Sequence, residues 1–259
     1  MSDAWDPSQY EQFQAQRRMP FDDLLAMVAP VPGGKVLDLG CGTGSLTAEL
    51  HRHCGAAETL GVDSSEAMLG QAAAHTGEGL HFERADIAEI DRRDIDVVFA
   101  NASLQWVPDH PALLGRLRTM LATRGQLAFQ VPANADHPSH RLAAVVAAEE
   151  PFATALGGRG RDEHLRAVLA PDAYAEALDR LGAREQHVRL KVYGHHLPGT
   201  AAVVEWVRGT MLTPYRAALE PELYEAFVSR YSEALEAELG SQRPYFYAFK
   251  RILAWARFA

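Results

Sequence analysis

Short continuous apolar runs in this chain alternate with stretches whose apolar positions recur every three or four residues. Val36, Leu37 and Leu39 form the first run, and Leu46 and Leu50 lie one turn apart in the segment after it. The alternation predicts strands over 36–39, 59–63, 80–86, 95–100 and 126–131, with helices over 45–53, 66–75 and 111–121 among them. Strands apolar on both faces, separated by helices, imply a parallel sheet covered on both sides. Ahead of this, residues 5–18 read as a short amphipathic segment. Phe21, Leu24, Leu25 and Val28 keep helical spacing over 20–29, and Pro30 and Pro32-Gly33-Gly34 end it.

The rhythm changes after Pro132. Residues 134–183 read as irregular turns and helices, including 141–148 and 171–181, and Gly157-Gly158-Arg159-Gly160-Arg161 reads as a mobile loop. Strand character resumes over 185–197, helical periodicity over 201–208 and 221–239, and 245–258 reads as a long last strand. A late strand pair after a helical insertion predicts an antiparallel hairpin at one sheet edge, with the insertion as a lid over the ligand crevice.

The first strand runs into Gly40-Cys41-Gly42-Thr43-Gly44 and then directly into a helix. Such glycines allow a sharp turn and close approach of a ligand, and the amides at the helix start favour an anionic or polar group. A dinucleotide turn spaces its glycines G-x-G-x-x-G, whereas here the third glycine comes early. Asp38 is a second difference, because a buried carboxylate there attracts an ammonium and repels a pyrophosphate. A ligand with a cationic amino-acid end and a ribose fits, which favours S-adenosylmethionine over NAD. Asp63 closes the second strand and can accept bonds from both ribose hydroxyls. Asp86 and the Ile87 amide can meet an adenine edge, with Met68 as an apolar wall. Each acid taken alone could be a helix cap or a solvated turn. Acids at successive strand C-terminal ends mark the place where open α/β sheets bind ligands.

Composition narrows the function classes. The chain has 259 residues, 47% hydrophobic and 23% charged, which is ordinary for a globular protein. A net charge of −9 argues against binding that tracks nucleic-acid phosphates. Cys41 and Cys54 cannot make a disulfide framework and read as reduced thiols of a cytoplasmic protein. The first residues lack a signal-peptide layout, and no apolar run reaches membrane-spanning length, so neither a membrane nor an obligate protein partner is expected. His137 and His140 lack a convincing third ligand, so no metal is expected. Neither a serine-hydrolase elbow nor a P-loop lysine is present.

Leu37-Asp38-Leu39-Gly40-Cys41-Gly42-Thr43-Gly44 resembles the glycine motif of class I methyltransferases. Phe99-Ala100-Asn101-Ala102-Ser103-Leu104-Gln105-Trp106-Val107-Pro108-Asp109-His110 resembles the segment after strand four in trans-aconitate 2-methyltransferases. Trp5-Asp6-Pro7-Ser8-Gln9-Tyr10 with Phe13, Arg17 and Pro20 is similar too, as are Tyr193, His195 and Pro198, Glu205-Trp206-Val207 and Phe249-Lys250-Arg251-Ile252-Leu253. Departures concentrate at 134–183 and 240–248. The resemblance implies a Rossmann-like α/β fold, a mostly parallel seven-stranded sheet with an antiparallel C-terminal hairpin and a helical lid insertion. It implies one domain, in which 1–33 caps the cofactor, 34–133 is the cofactor-binding core, 134–244 is the insertion including strand 185–197, and 245–259 is the final strand. It places Asp38, Gly40, Cys41, Gly42, Asp63, Ser64, Met68, Asp86, Ile87 and Asn101 at the cofactor. Asn101 and Ala102 would approach its methionine part, and Tyr10 and Arg17 its carboxylate end.

The acceptor this points to is a small carboxylate, with trans-aconitate favoured and S-adenosylhomocysteine as co-product. A carboxylate of pKa about 4 is ionised at neutral pH, so no catalytic base is expected and the protein's task is positioning. A polyanionic acceptor needs cations and donors. Arg251 offers a planar fork, Tyr193 and His195 add donors, and Trp106 can floor the pocket. Arg251 could equally face solvent, and Trp106 could equally anchor the core. The alternative enzymes are a malonyl-carrier-protein O-methyltransferase or another small-molecule methyltransferase with a nitrogen or carbon acceptor, and a cofactor-binding protein without turnover is the alternative of another class.

Overall fold

The computed structural model describes residues 14–158 and 167–259, excepting the side chains of 14–17. Its elements in chain order are α1 (Gln14–Leu25), β1 (Lys35–Leu39), α2 (Ser45–Cys54), β2 (Glu58–Asp63), α3 (Glu66–Ala72), β3 (Leu80–Arg84), β4 (Ile95–Asn101), α4 (His110–Met120), β5 (Leu121–Pro132), α5 (Pro138–Ala147), α6 (Phe152–Ala155), α7 (Pro171–Arg180), β6 (Ala183–Leu197), α8 (Ala202–Arg208), α9 (Thr213–Ala218), α10 (Pro221–Leu239) and β7 (Tyr245–Phe258). The strands make one seven-stranded sheet in the order β3-β2-β1-β4-β5-β7-β6. β1 pairs in parallel with β2 and β4, β2 with β3, and β4 with β5, whereas β7 runs antiparallel to β5. Strand order reverses between β1 and β4, the switch point where ligands of open α/β sheets bind.

By packing, the chain forms two compact units. Arg17–Pro132, Ala167–Lys191 and Arg251–Ala259 make the sheet unit; the described parts of Met1–Gln16, Ala133–Arg166 and Val192–Lys250 make the helical unit. α7 and the first part of β6 belong to the sheet unit. In the sheet unit, Phe21 and Leu24 of α1 pack with Val36, Val97, Phe99, Ala128 and Trp255 from four strands. In the helical unit, Tyr215 stacks on Phe227 at 4.8 Å between ring centres, and Phe152 meets Phe227 edge-on at 5.4 Å.

Local chemistry sets the boundaries. Gly55, with φ of 60°, closes α2, and its N–H bonds back to the last turn. Ser65 caps α3 by accepting from the Met68 N–H, and Asp109 caps α4 by accepting from Ala112. The helical spacing over 20–29 does not run its length, because α1 ends at Leu25. The side-chain amide of Gln126 takes both the N–H and the carbonyl of Ala29, each at 2.9 Å, and ties that backbone to β5. β3 likewise stops at Arg84, short of Asp86, whose carboxylate accepts from the Ala88 N–H at 2.7 Å and turns the chain. α6 and α9 span four and six residues, too short for apolar periodicity to announce them. No helix among the described residues is long and apolar enough to cross a membrane.

Gln126 is 2% exposed, and its Oε1 also accepts from the Trp255 indole at 2.9 Å. Replacing it by leucine removes the partner of the buried Trp255 indole and of two half-buried backbone groups of Ala29. Each such group costs about 1–3 kcal/mol when left unmade, partly offset by relaxation. We expect Gln126→Leu to lower unfolding free energy by about 2–4 kcal/mol in urea titration. A loss within experimental error would contradict this role.

Candidate active site

β1 ends in the glycine turn, and the turn's shape follows from its contacts. Gly40 and Gly42 have φ of 78° and 56°, in the left-handed region. A Cβ on Gly40 would stand 2.3 Å from the Ser103 Cβ, so the turn and the loop after β4 touch only because that position carries no side chain. A Cβ on Gly42 would meet nothing within 4 Å, which leaves that backbone facing open space. The N–H groups of Gly40 and Cys41 both donate to the Val62 carbonyl, at 2.8 and 2.9 Å. Cys41 is buried, and its thiol is pushed well up by desolvation and then by Asp38 and Asp63, so it stays a neutral packing group.

Asp38 is the charged group of the turn. It is 4% exposed, and its Oδ2 accepts from the Thr47 hydroxyl at 2.6 Å. Its Oδ1 is buried with no hydrogen-bond partner. Burial pushes its pKa up to about 7, Thr47 works against that shift, and nearby Asp63 adds to it. A buried carboxylate oxygen lacking a donor fits the α-ammonium of an amino-acid ligand. Thr47 was not anticipated from the sequence. Its signal is a polar residue on the buried face of α2, three positions before Leu50.

Asp63 at the end of β2 holds the backbone on both sides. Its Oδ2 accepts from the Gly42 N–H at 3.0 Å and its Oδ1 from the Ser65 N–H at 2.9 Å. A carboxylate has about four acceptor sites, so holding the turn is compatible with also accepting from a ribose. Ser64 beside it is exposed, and the helix cap is Ser65. Met68 is buried and Ile87 half-buried, while Asp86 is exposed in its turn. The Arg116 guanidinium fixes that turn by donating to the carbonyls of Ile87 and Ala88.

At the end of β4, polar groups form a chain. Asn101 Oδ1 accepts from Gln130 Nε2 at 2.7 Å, and Gln130 Oε1 accepts from Arg251 Nη1 at 3.2 Å. Ala102 adopts a left-handed φ of 57°, and its N–H donates to the Gln130 carbonyl at 3.0 Å. Gln105 Nε2 donates to the Ala102 carbonyl at 2.6 Å, while Gln105 Oε1 is buried without a partner. Arg251 is 8% exposed, so it does not face solvent. Trp106 is half-buried at the end of a short 3-10 turn, Leu104–Trp106. Buried His110 braces that turn through its bond to the Leu104 carbonyl at 3.0 Å, its other ring nitrogen meeting the Tyr174 hydroxyl. Burial lowers the His110 pKa, which keeps the ring neutral.

Tyr193 and His195 belong to the helical unit, where both are buried on β6. The His195 ring lies 4.9 Å from that of Trp206. The same unit buries a hydroxyl and imidazole network around Ser139. Its Oγ lies 2.8 Å from His137 Nδ1, 2.9 Å from His140 Nδ1 and 3.0 Å from the Tyr247 hydroxyl. Tyr10 and the side chain of Arg17 lie outside the described residues.

The raised pKa of Asp38 makes a prediction for the ligand-free protein. The folded state holds this proton up to about pH 7, whereas an unfolded carboxyl releases it near 4. Its stabilising contribution is complete below about pH 4 and lost as pH rises through 7. Unfolding measured at matched ionic strength should show wild-type stability falling between about pH 4 and 7 by a component absent from Asp38→Asn. Equal slopes for the two proteins would contradict the assignment.

A methyltransferase-domain family model matches residues 13–188. The trans-aconitate 2-methyltransferase of Deinococcus radiodurans is 46% identical over 252 residues, covering 96% of either chain. That of Variovorax paradoxus is 39% identical over 256 residues, covering 98% of this chain and 95% of the relative. The crystal structure of the YcgJ protein from Bacillus subtilis superposes with a TM-score of 0.61 at 12% identity, covering 93% of this chain and 98% of that one. That likeness concerns the fold alone. The sequence matches, over nearly the whole chain, show that this protein belongs to the trans-aconitate 2-methyltransferase family of S-adenosylmethionine-dependent methyltransferases.

Proposed function

We propose that this protein methylates a carboxylate of trans-aconitate, giving the monomethyl ester. The observation that carries the cofactor half of this reading is the buried, donor-less Oδ1 of Asp38 beside the open backbone of Gly42. The acceptor half rests on Arg251, a buried guanidinium hydrogen-bonded through Gln130 to Asn101, together with the activity named for the relatives.

Asp38 takes the α-ammonium of the cofactor, and Gln105 Oε1, in the turn after β4, is a second buried acceptor. Asp63 takes ribose hydroxyls, Asp86 and the Ile87 amide meet the adenine edge, and Met68 lies against the ring. Asn101 and Ala102 approach the methionine part. S-adenosylmethionine bound there supplies a methyl on cationic sulfur, and S-adenosylhomocysteine leaves once a carboxylate oxygen has taken that methyl. Arg251 pairs with a carboxylate of the acceptor and fixes its direction, because a guanidinium fork holds both oxygens. Trp106 bounds the acceptor and excludes water. No side chain transfers a proton, since the acceptor oxygen is already ionised.

S-adenosylhomocysteine release should be measured with trans-aconitate, cis-aconitate, citrate and malonyl-carrier protein. We expect the highest kcat/KM with trans-aconitate, and a fall of about tenfold or more on Arg251→Lys, which keeps the charge and loses the fork. Higher turnover of malonyl-carrier protein would replace the acceptor, and binding without turnover of any carboxylate would leave a non-catalytic binding protein.

Cofactor binding should run opposite to ligand-free stability. An ammonium needs Asp38 ionised, so with its pKa near 7 the Kd for S-adenosylhomocysteine should weaken about tenfold from pH 7.5 to 6. Calorimetry showing a flat Kd across that range would remove Asp38 from the ammonium site.

A further inference from the structure

Gln130 is a polar residue in the middle of the otherwise apolar end of β5, and it is 1% exposed. Its side-chain amide has two partners with opposite demands. A guanidinium only donates, so Arg251 Nη1 at 3.2 Å fixes the Gln130 oxygen on its own side. The Gln130 nitrogen must then face Asn101, and it donates to Asn101 Oδ1 at 2.7 Å. With its oxygen held there, Asn101 turns its Nδ2 donors away from Gln130, toward whatever acceptor lies beyond the end of β4. The Gln130 main-chain carbonyl accepts from Ala102 at 3.0 Å and holds that residue in its left-handed conformation. One residue thus orients both groups assigned to the methionine part of the cofactor, and its orientation is set by the group assigned to the acceptor.

We infer that Gln130 is a positioning residue that links the two halves of the site: Arg251 orients the Gln130 amide, and Gln130 orients Asn101 toward the carboxylate of the cofactor's methionine part. This rests on the proposed cofactor placement but not on the identity of the acceptor. Without Gln130, the Asn101 amide is free to rotate and its donors are no longer presented. Glutamate at 130 would have a sharper effect. It accepts from Arg251 but cannot donate, so Asn101 must turn its Nδ2 to the new carboxylate and away from the ligand.

The test is a double-mutant cycle read by calorimetric binding of S-adenosylhomocysteine, which needs no acceptor. Gln130→Met and Asn101→Ala should each weaken binding by about tenfold, the scale of one hydrogen bond to a charged group. The double variant should match Asn101→Ala to within about twofold, because Gln130 acts only through Asn101. Gln130→Glu should weaken binding at least as much as Gln130→Met, and it keeps the measurement open if the methionine variant does not fold. Arg251→Met, which does not touch the cofactor, should also weaken binding in wild type but not in the Gln130→Met background. Unchanged Kd in the folded Gln130 variants would overturn the proposal. So would additive losses approaching a hundredfold in the double variant, which would mean that Gln130 acts independently of Asn101. Absence of binding by the wild type would instead remove the cofactor reading on which the proposal stands.

Discussion

A carboxylate buried at the end of the first strand is the constraint around which the sheet unit is arranged. Asp38 leaves water because β1 is covered on both faces, and one neutral hydroxyl compensates it. Its desolvation raises its pKa to about 7 and disfavours its charge while no ligand is present. The same placement makes it a strong receptor for a cation, because a charge pair in a low-dielectric site is screened little. The turn gives up intrinsic stability to hold a binding group ready. Asp63 stabilises the turn from the other side by accepting from the Gly42 N–H, and holds the start of α3 by accepting from the Ser65 N–H.

β5 shows a related division of labour along one strand. Gln126 and Gln130 point to the same face, since side chains repeat every second residue. The first binds Ala29 and Trp255 and closes the sheet against the chain that enters it. The second binds Arg251 and Asn101 at the end where the strands deliver their ligand-facing residues. Primary amides suit both places, because each carries a donor and an acceptor without the desolvation cost of a full charge. The antiparallel pairing with β7 makes the second contact available. It sets Pro132 opposite Arg251 and so brings a residue from the end of the chain beside the loop after β4.

The chemistry asks little of these groups beyond placement. An acceptor ionised at neutral pH needs no base, and rate then depends on approach geometry and exclusion of water. His110 is held neutral by burial and braces the turn that carries Trp106, and Cys41 is a packing group.

The sequence by itself determined the strand and helix alternation, the glycine turn, the acids at the strand ends and the cofactor class. These are local: apolar runs make buried strands, and a glycine sequence followed by a helix makes a turn of one kind. Boundaries set by distant partners were not legible. α1 ends at Leu25 and Gln126, far along the chain, takes the backbone of Ala29, while β3 ends at Arg84 and Asp86 serves its own turn. Arg251 read from the chain alone was as much a surface residue as a site residue, and only the β5–β7 register buried it. Thr47, Gln105 and Gln130 were silent in the sequence for the same reason. A polar side chain reveals its role through its partner, and the tertiary fold chooses the partner.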